Sequence, residues 1–148
     1  AAAAAAAPSS ASKHARNSGI SISRPHCMIC PLVGGAYKRA DEGGFVHLPC
    51  ALWAPGVKIG NIVTMSNITG IRAAAKKQSP GTSARPSAAN AGRACTRCGS
   101  NFGITILCSK KGCGEAFHPL CAWYGGLCVR AQPNERDRRC PFSLYCAP

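Results

Sequence analysis

The stretch Cys95–Cys121, CTRCGSNFGITILCSKKGCGEAFHPLC, presents four cysteines, then a histidine, then a fifth cysteine. Cysteines two or four residues apart can place both sulfurs on one Zn²⁺, because a tight turn brings them within reach of the metal. Cys95/Cys98 and Cys108/Cys113 are such pairs, and His118-Pro119-Leu120-Cys121 supplies another. A tetrahedral zinc takes four ligands. These are six, so two metals are implied and two further ligands must come from elsewhere. An earlier stretch carries Cys27-x-x-Cys30 and, after sixteen intervening residues, His47-Leu48-Pro49-Cys50. Together these four make one closed Cys₃His set, which leaves no position for water and is therefore structural. His26 adjoins Cys27 and reads as an exposed or supporting residue beside the ligand set.

Composition fits that chemistry. The 148 residues include 11 Cys but only four Phe, three Tyr and two Trp, so a core of large side chains is thin and metal staples are called for. An odd number of cysteines would strand one thiol in a disulfide scaffold. No signal peptide or stretch of transmembrane length is visible, so the cysteines read as reduced and metal-bound. Catalytic zinc is disfavoured: no histidine has a Glu two residues later, as a zinc deaminase requires, and every site looks closed. The net charge is +13, and no acid stands between Gly43 and Gly114. Lys58, Arg72, Lys76, Lys77, Arg93, Arg97, Lys110 and Lys111 fall in that acid-free middle. Such an imbalance points to a polyanion, DNA or RNA before a membrane.

The elements that must position the ligands are short. Residues 1–24 read as a disordered low-complexity tail, whose Ser/Ala/Arg content also resembles a transit peptide. Residues 25–71 read as the first folded unit, with a hairpin (Ala36–Arg39, a turn at Asp41–Gly44, then Phe45-Val46) and a helix starting at Pro49. Trp53 is expected to pack over the first zinc site. Val57–Ile71 shows no dominant period and reads as loop with short strand or helical turns. Residues 72–93, RAAAKKQSPGTSARPSAANAGR, hold no large apolar side chain and read as a disordered basic linker. Residues 94–148 read as the second unit, with strands near Phe102–Leu107, Ala116–His118 and Leu127–Val129 and a helix from Pro119 through Tyr124, ended by Gly125-Gly126. Cys128, in mid-strand, is expected to be a buried apolar thiol.

The phrases CMICPLVGGAYK with HLPCALWAPGV, and AFHPLCAWYGGLCV, resemble the extended PHD finger of chromatin proteins. The likeness is strongest to plant trithorax-type histone methyltransferases, with bromodomain-and-PHD scaffold proteins also similar. It covers about residues 26–148, and a histidine in fifth place separates the pattern from a RING finger. The resemblance implies a small zinc-stabilised α+β fold: a zinc knuckle followed by a cross-brace PHD-type finger, with short two-stranded sheets and short helices. It also implies the ligand allocation. Cys95, Cys98, His118 and Cys121 would share one metal, and Cys108, Cys113 and Cys146 another. The family's closing phrase puts the eighth ligand at position 149. Cys140 is the substitute candidate, against its reading as a free loop thiol. Three zinc sites follow, the third incomplete within the chain. No aromatic cage for methyl-lysine is expected, since Trp53, Trp123 and Tyr124 stand beside ligands and are assigned to packing.

The function expected on these grounds is a non-catalytic nuclear module, a monomeric fragment of a larger transcription or histone-modification regulator. Its partners would be nucleosomal DNA, histone and other chromatin-complex subunits, with no membrane. The competing reading is a protein–protein docking module without nucleic-acid binding.

Overall fold

The computed structural model describes residues 24–79, 93–132 and 142–146. Among them are four antiparallel two-stranded sheets and three short helices. β1 (Tyr37–Arg39) pairs with β2 (Phe45–His47), with Tyr37 opposite His47. Gly43 and Gly44, at φ +82° and +85°, complete the turn between them in the left-handed region that glycine enters without strain. The chain runs straight into α1 (Leu48–Trp53), where Pro49 occupies the first turn and needs no backbone donor.

Val57–Ile71 is more regular than its mixed periodicity suggests. β3 (Lys58–Asn61) pairs with β4 (Ser66–Thr69). The Asn61 Oδ1 accepts the backbone N–H groups of Val63 (3.0 Å) and Thr64 (3.1 Å) and so closes the turn with a side chain. α2 (Ile71–Gln78) follows. Here the linker expectation is corrected: residues 72–78 are helical, and residues 80–92 of that linker lie outside the described residues. The run Arg72-Ala73-Ala74-Ala75-Lys76-Lys77-Gln78 consists of strong helix formers. Ile71, Ala74 and Gln78 fall on one buried side, while the Glu42 carboxylate accepts the backbone N–H groups of Gly70 and Arg72 (the latter at 2.8 Å) at the helix start.

In the second half, β5 (Ile106–Leu107) pairs with β6 (Ala116–Phe117). The strand expected from Phe102 is shorter, because Phe102 is exposed and Gly103 turns the chain. α3 (Pro119–Tyr124) ends at Gly125, and β7 (Cys128–Arg130) pairs with β8 (Ser143–Tyr145).

The two halves share their cores. Ile29, Ile68, Ile71 and Ile104 are almost fully buried in one cluster that also takes Leu120 from α3. Leu32 and Trp53 from the first half pack against the second cluster, around Ile106, Phe117 and Leu144. The Ile104 N–H donates to the Ile29 carbonyl at 3.1 Å. Gln78 and Thr105 exchange a buried pair of bonds, Nε2–H to the Thr105 carbonyl at 3.0 Å and the Thr105 N–H to Oε1 at 2.8 Å. α2 is therefore a structural joint between the halves.

Candidate metal centre

Three groups of metal-ligating side chains come together: Cys27/Cys30/His47/Cys50, Cys95/Cys98/His118/Cys121, and Cys108/Cys113/Cys146, each with its donor atoms within 4.8 Å of one another. The first two groups are built alike. Each histidine is the residue at which a strand becomes a helix, His47 before α1 and His118 before α3. The cysteine three residues on therefore lies one helical turn away, on the same side as the imidazole. Each Cys-x-x-Cys pair approaches from a preceding loop.

The donor separations suit zinc. Tetrahedral bonds of about 2.3 Å to sulfur and about 2.0 Å to nitrogen put neighbouring sulfurs roughly 3.8 Å apart and a sulfur–nitrogen pair roughly 3.5 Å apart. In the first group Cys50 and Cys30 sulfurs lie 3.6 Å apart, and the His47 Nδ1 lies 3.3 Å from Cys30 Sγ and 3.9 Å from Cys50 Sγ. In the second, the His118 Nδ1 lies 3.4 Å from Cys98 Sγ and 3.7 Å from Cys121 Sγ. Both imidazoles are oriented from behind: Nε2–H donates to the Gly34 carbonyl at 2.7 Å in His47 and to the Phe102 carbonyl at 2.5 Å in His118. That bond fixes the tautomer and leaves Nδ1 as a lone pair aimed at the sulfurs, the usual support for a metal-binding histidine. Tyr37 stacks on His47 at 4.3 Å and adds a second restraint. Burial pushes His118 below the ordinary imidazole range, which keeps it neutral.

The thiols show why this cluster calls for a cation. The sulfur of Cys27 accepts from the backbone N–H groups of Ile29 (3.4 Å) and His47 (3.5 Å). The Cys30 and Cys50 thiols, followed by these amides, hold Cys27 far below the usual thiol range. With Cys27 ionised, Cys30 is pushed up to about 12, and Cys50 is raised further by Cys27, Cys30 and its burial. One thiolate resists the next at this spacing, so several ionise together only around a positive charge.

The third group is more open. The Cys146 sulfur lies 3.5 Å from that of Cys108 and 3.7 Å from that of Cys113. The Cys146 N–H donates to Cys108 Sγ at 3.3 Å. Cys108 is buried, while Cys113 and Cys146 are half-buried beneath a turn that carries Lys110 and Lys111. Cys140 lies outside the described residues.

Other expected residues divide. His26 is exposed, and Lys58, Arg72, Lys76, Lys77, Arg93, Arg97, Lys110 and Lys111 are all exposed. Arg72, Lys76 and Lys77 share the outer side of α2, whereas Arg93 donates to the Gly114 carbonyl at 2.6 Å and so also braces the second half. Cys128 corrects the expectation of a buried thiol: it is exposed, on the same side of β7 as the exposed Arg130 and opposite the half-buried Val129. Trp53 does not cap the first group alone. It packs toward the second cluster, against Trp123 and Phe142. Trp123 and Tyr124 are 59% and 67% exposed, so the packing role expected of them is at most partial. Sequence reasoning missed the carbonyls of Gly34 and Phe102, which nothing in their residue types announces.

Comparison with known proteins agrees with this geometry. The family model of the PHD-zinc-finger-like domain matches residues 25–147. Histone H3-lysine(4) N-trimethyltransferase ATX1 of Arabidopsis thaliana is 36% identical over 108 residues, which are 73% of this chain and 9% of that protein. Protein Jade-1 of Bos taurus is 38% identical over 124 residues, 83% of this chain and 22% of that protein. The chain thus spans less than a quarter of the length of these curated relatives. Among solved structures, zebrafish PHF14-PZP is similar with a TM-score of 0.61 and 30% identity, over 84% of this chain and 62% of that one. With Cys/His clusters compatible with zinc, the chain belongs to the PHD-zinc-finger-like family, a non-catalytic module.

Proposed function

We propose that this chain holds three zinc ions and docks a larger nuclear regulator onto nucleosomes, meeting DNA phosphates and histone surface largely through charge. The first two ions take the complete Cys₃His sets. The third takes Cys108, Cys113 and Cys146 with a fourth ligand from outside the described residues. The histone methyltransferase among the relatives supports the chromatin setting. The observation that carries the reading is the outer face of α2. It offers Arg72, Lys76 and Lys77 to solvent, and the nearby carboxylate of Glu42 is already engaged by the backbone N–H groups of Gly70 and Arg72.

Phosphate neutralisation releases counterions, so affinity for duplex DNA should fall steeply with salt, with a log–log slope of about −5 if six phosphates are contacted. Base selectivity should be weak, since among the described residues no helix presents a row of Arg, Asn or Gln. Reversing Lys76 and Lys77 to Glu should weaken binding by similar factors on unrelated duplexes while zinc content stays unchanged. Mobility-shift titrations at several salt concentrations check this. Binding that ignores salt, or no binding to DNA or nucleosomes, leaves a protein-docking module without a nucleic-acid role.

A further inference from the structure

The cationic helix α2 ends at a serine. Ser79 is its C-terminal cap, at φ −70° and ψ 131°, and donates its backbone N–H to the Lys76 carbonyl at 3.3 Å. That extended backbone follows from the sequence, because the ring of Pro80 disfavours the helical region for the residue before it. Ser79 is exposed, whereas Gln78 beside it is buried in the joint between the halves. Ser79-Pro80 is also the one Ser-Pro or Thr-Pro dipeptide in the 148 residues. An exposed serine on extended backbone, followed by a residue with no N–H, has the form of a substrate for a proline-directed protein kinase.

The surroundings suit the product as well as the substrate. Ser79 lines an open cleft of about 340 Å³ together with Lys76, Asn101 and Phe102, and no carboxylate of the described residues lines it. Lys76 and Lys77 occupy the last turn of α2, and Lys76, three residues before Ser79, is its neighbour on the helix surface. A phosphoserine carries about −1.5 to −2 charges at neutral pH and three strong acceptor oxygens. At a helix C-terminus the macrodipole opposes such a charge, so cations must stand close by to receive it, and here two lysines do.

We infer that Ser79 is a phosphorylation site for a proline-directed kinase, and that the phosphate, engaging Lys76 and Lys77, cancels the positive outer face of α2. The site stands on the position of Ser79; the consequence rests on the proposed use of α2 against DNA. In the transfer, Ser79 Oγ attacks the γ-phosphorus of ATP. The new O–P bond replaces the bond to ADP, which leaves, and the hydroxyl proton passes to the kinase's catalytic aspartate. Arg72, Lys76 and Lys77 bring three positive charges to the face, and the phosphate offsets about two of them. Phosphates of DNA then meet a face that has lost most of its attraction.

The test treats the zinc-loaded 148-residue chain with a cyclin-dependent kinase and Mg-ATP, and maps the product by mass spectrometry. One phosphate should appear, on Ser79, and Ser79→Ala should take none. The phosphorylated and unmodified chains are then titrated with duplex DNA at several salt concentrations. Phosphorylation should weaken binding and make the log–log salt slope shallower by about 2, the loss of two lysine–phosphate contacts. Phosphatase treatment should restore both. Zinc content and circular dichroism should match those of the unmodified chain, which assigns the loss to charge; a fall in helix signal on phosphorylation overturns the charge mechanism. Absence of phosphate from Ser79 overturns the site. A phosphorylated chain whose salt slope is unchanged, when reversal of Lys76 and Lys77 to Glu does change it, overturns the consequence. If neither the phosphate nor the reversal alters duplex binding, the DNA reading of α2 fails and takes the consequence with it, while the mapped phosphate upholds the site.

Discussion

Cys27 and Cys128 both carry a thiol, yet they differ in everything that decides chemistry. Cys27 lies among three other donors and accepts two backbone amides; Cys128 is exposed on β7. Structural zinc contributes on the order of 10–16 kcal/mol in zinc-finger peptides, as much as or more than the roughly 5–15 kcal/mol net stability of a domain. Cys27→Ser should therefore remove one zinc per chain and unfold at least the first half. Cys128→Ser should leave the zinc count unchanged and shift stability by less than about 0.5 kcal/mol. Native mass spectrometry with thermal melting distinguishes the two. Gly103 is the other residue whose role is sharply set. It sits at φ +82°, and a Cβ there would fall 2.1 Å from the Ile29 carbonyl oxygen, the acceptor that joins the halves. Gly103→Ala should cost more than about 2 kcal/mol, because neither the backbone conformation nor the contact tolerates a side chain. Urea denaturation measures it.

At the scale of elements, α2 is the segment that composition misrepresents. Its alanines looked like linker because they offer little apolar area, yet alanine is the best helix former. This helix is anchored by the buried Ile71 and Ala74 and by two polar contacts, Glu42 at its start and Gln78 at its end. Gln78→Ala would remove the bonds Gln78 makes to the buried N–H and carbonyl of Thr105, at a cost of about 1–3 kcal/mol for each at most. Hydrogen exchange should then rise at Thr105 and along α2 while zinc content holds. Unaltered stability and exchange would show that α2 is not the joint described above.

For the whole molecule, shared packing implies shared unfolding. Leu120 of α3 completes the first cluster, and Trp53 of α1 completes the second. Chelation of zinc followed by circular dichroism, and separately by tryptophan fluorescence, should give one coincident transition. Two separated transitions would mean that the halves fold as independent units in spite of their common core.

Much of the candidate metal site was legible because its geometry is local. A Cys-x-x-Cys turn and a His-x-x-Cys helix start each bring two donors together by backbone geometry alone, so their spacing is written in the chain. The short hairpins and the helices at Pro49 and Pro119 follow from the same turn chemistry. What the tertiary structure decided depends on residues distant in sequence. Gln78 meets Thr105, the Gly34 and Phe102 carbonyls orient the histidines, and the side of β7 opposite Val129 exposes Cys128. Trp53 and Trp123 pack against each other rather than serving as two separate caps. Burial and partnership are properties of packed neighbours, and no spacing rule along the chain encodes which neighbour arrives.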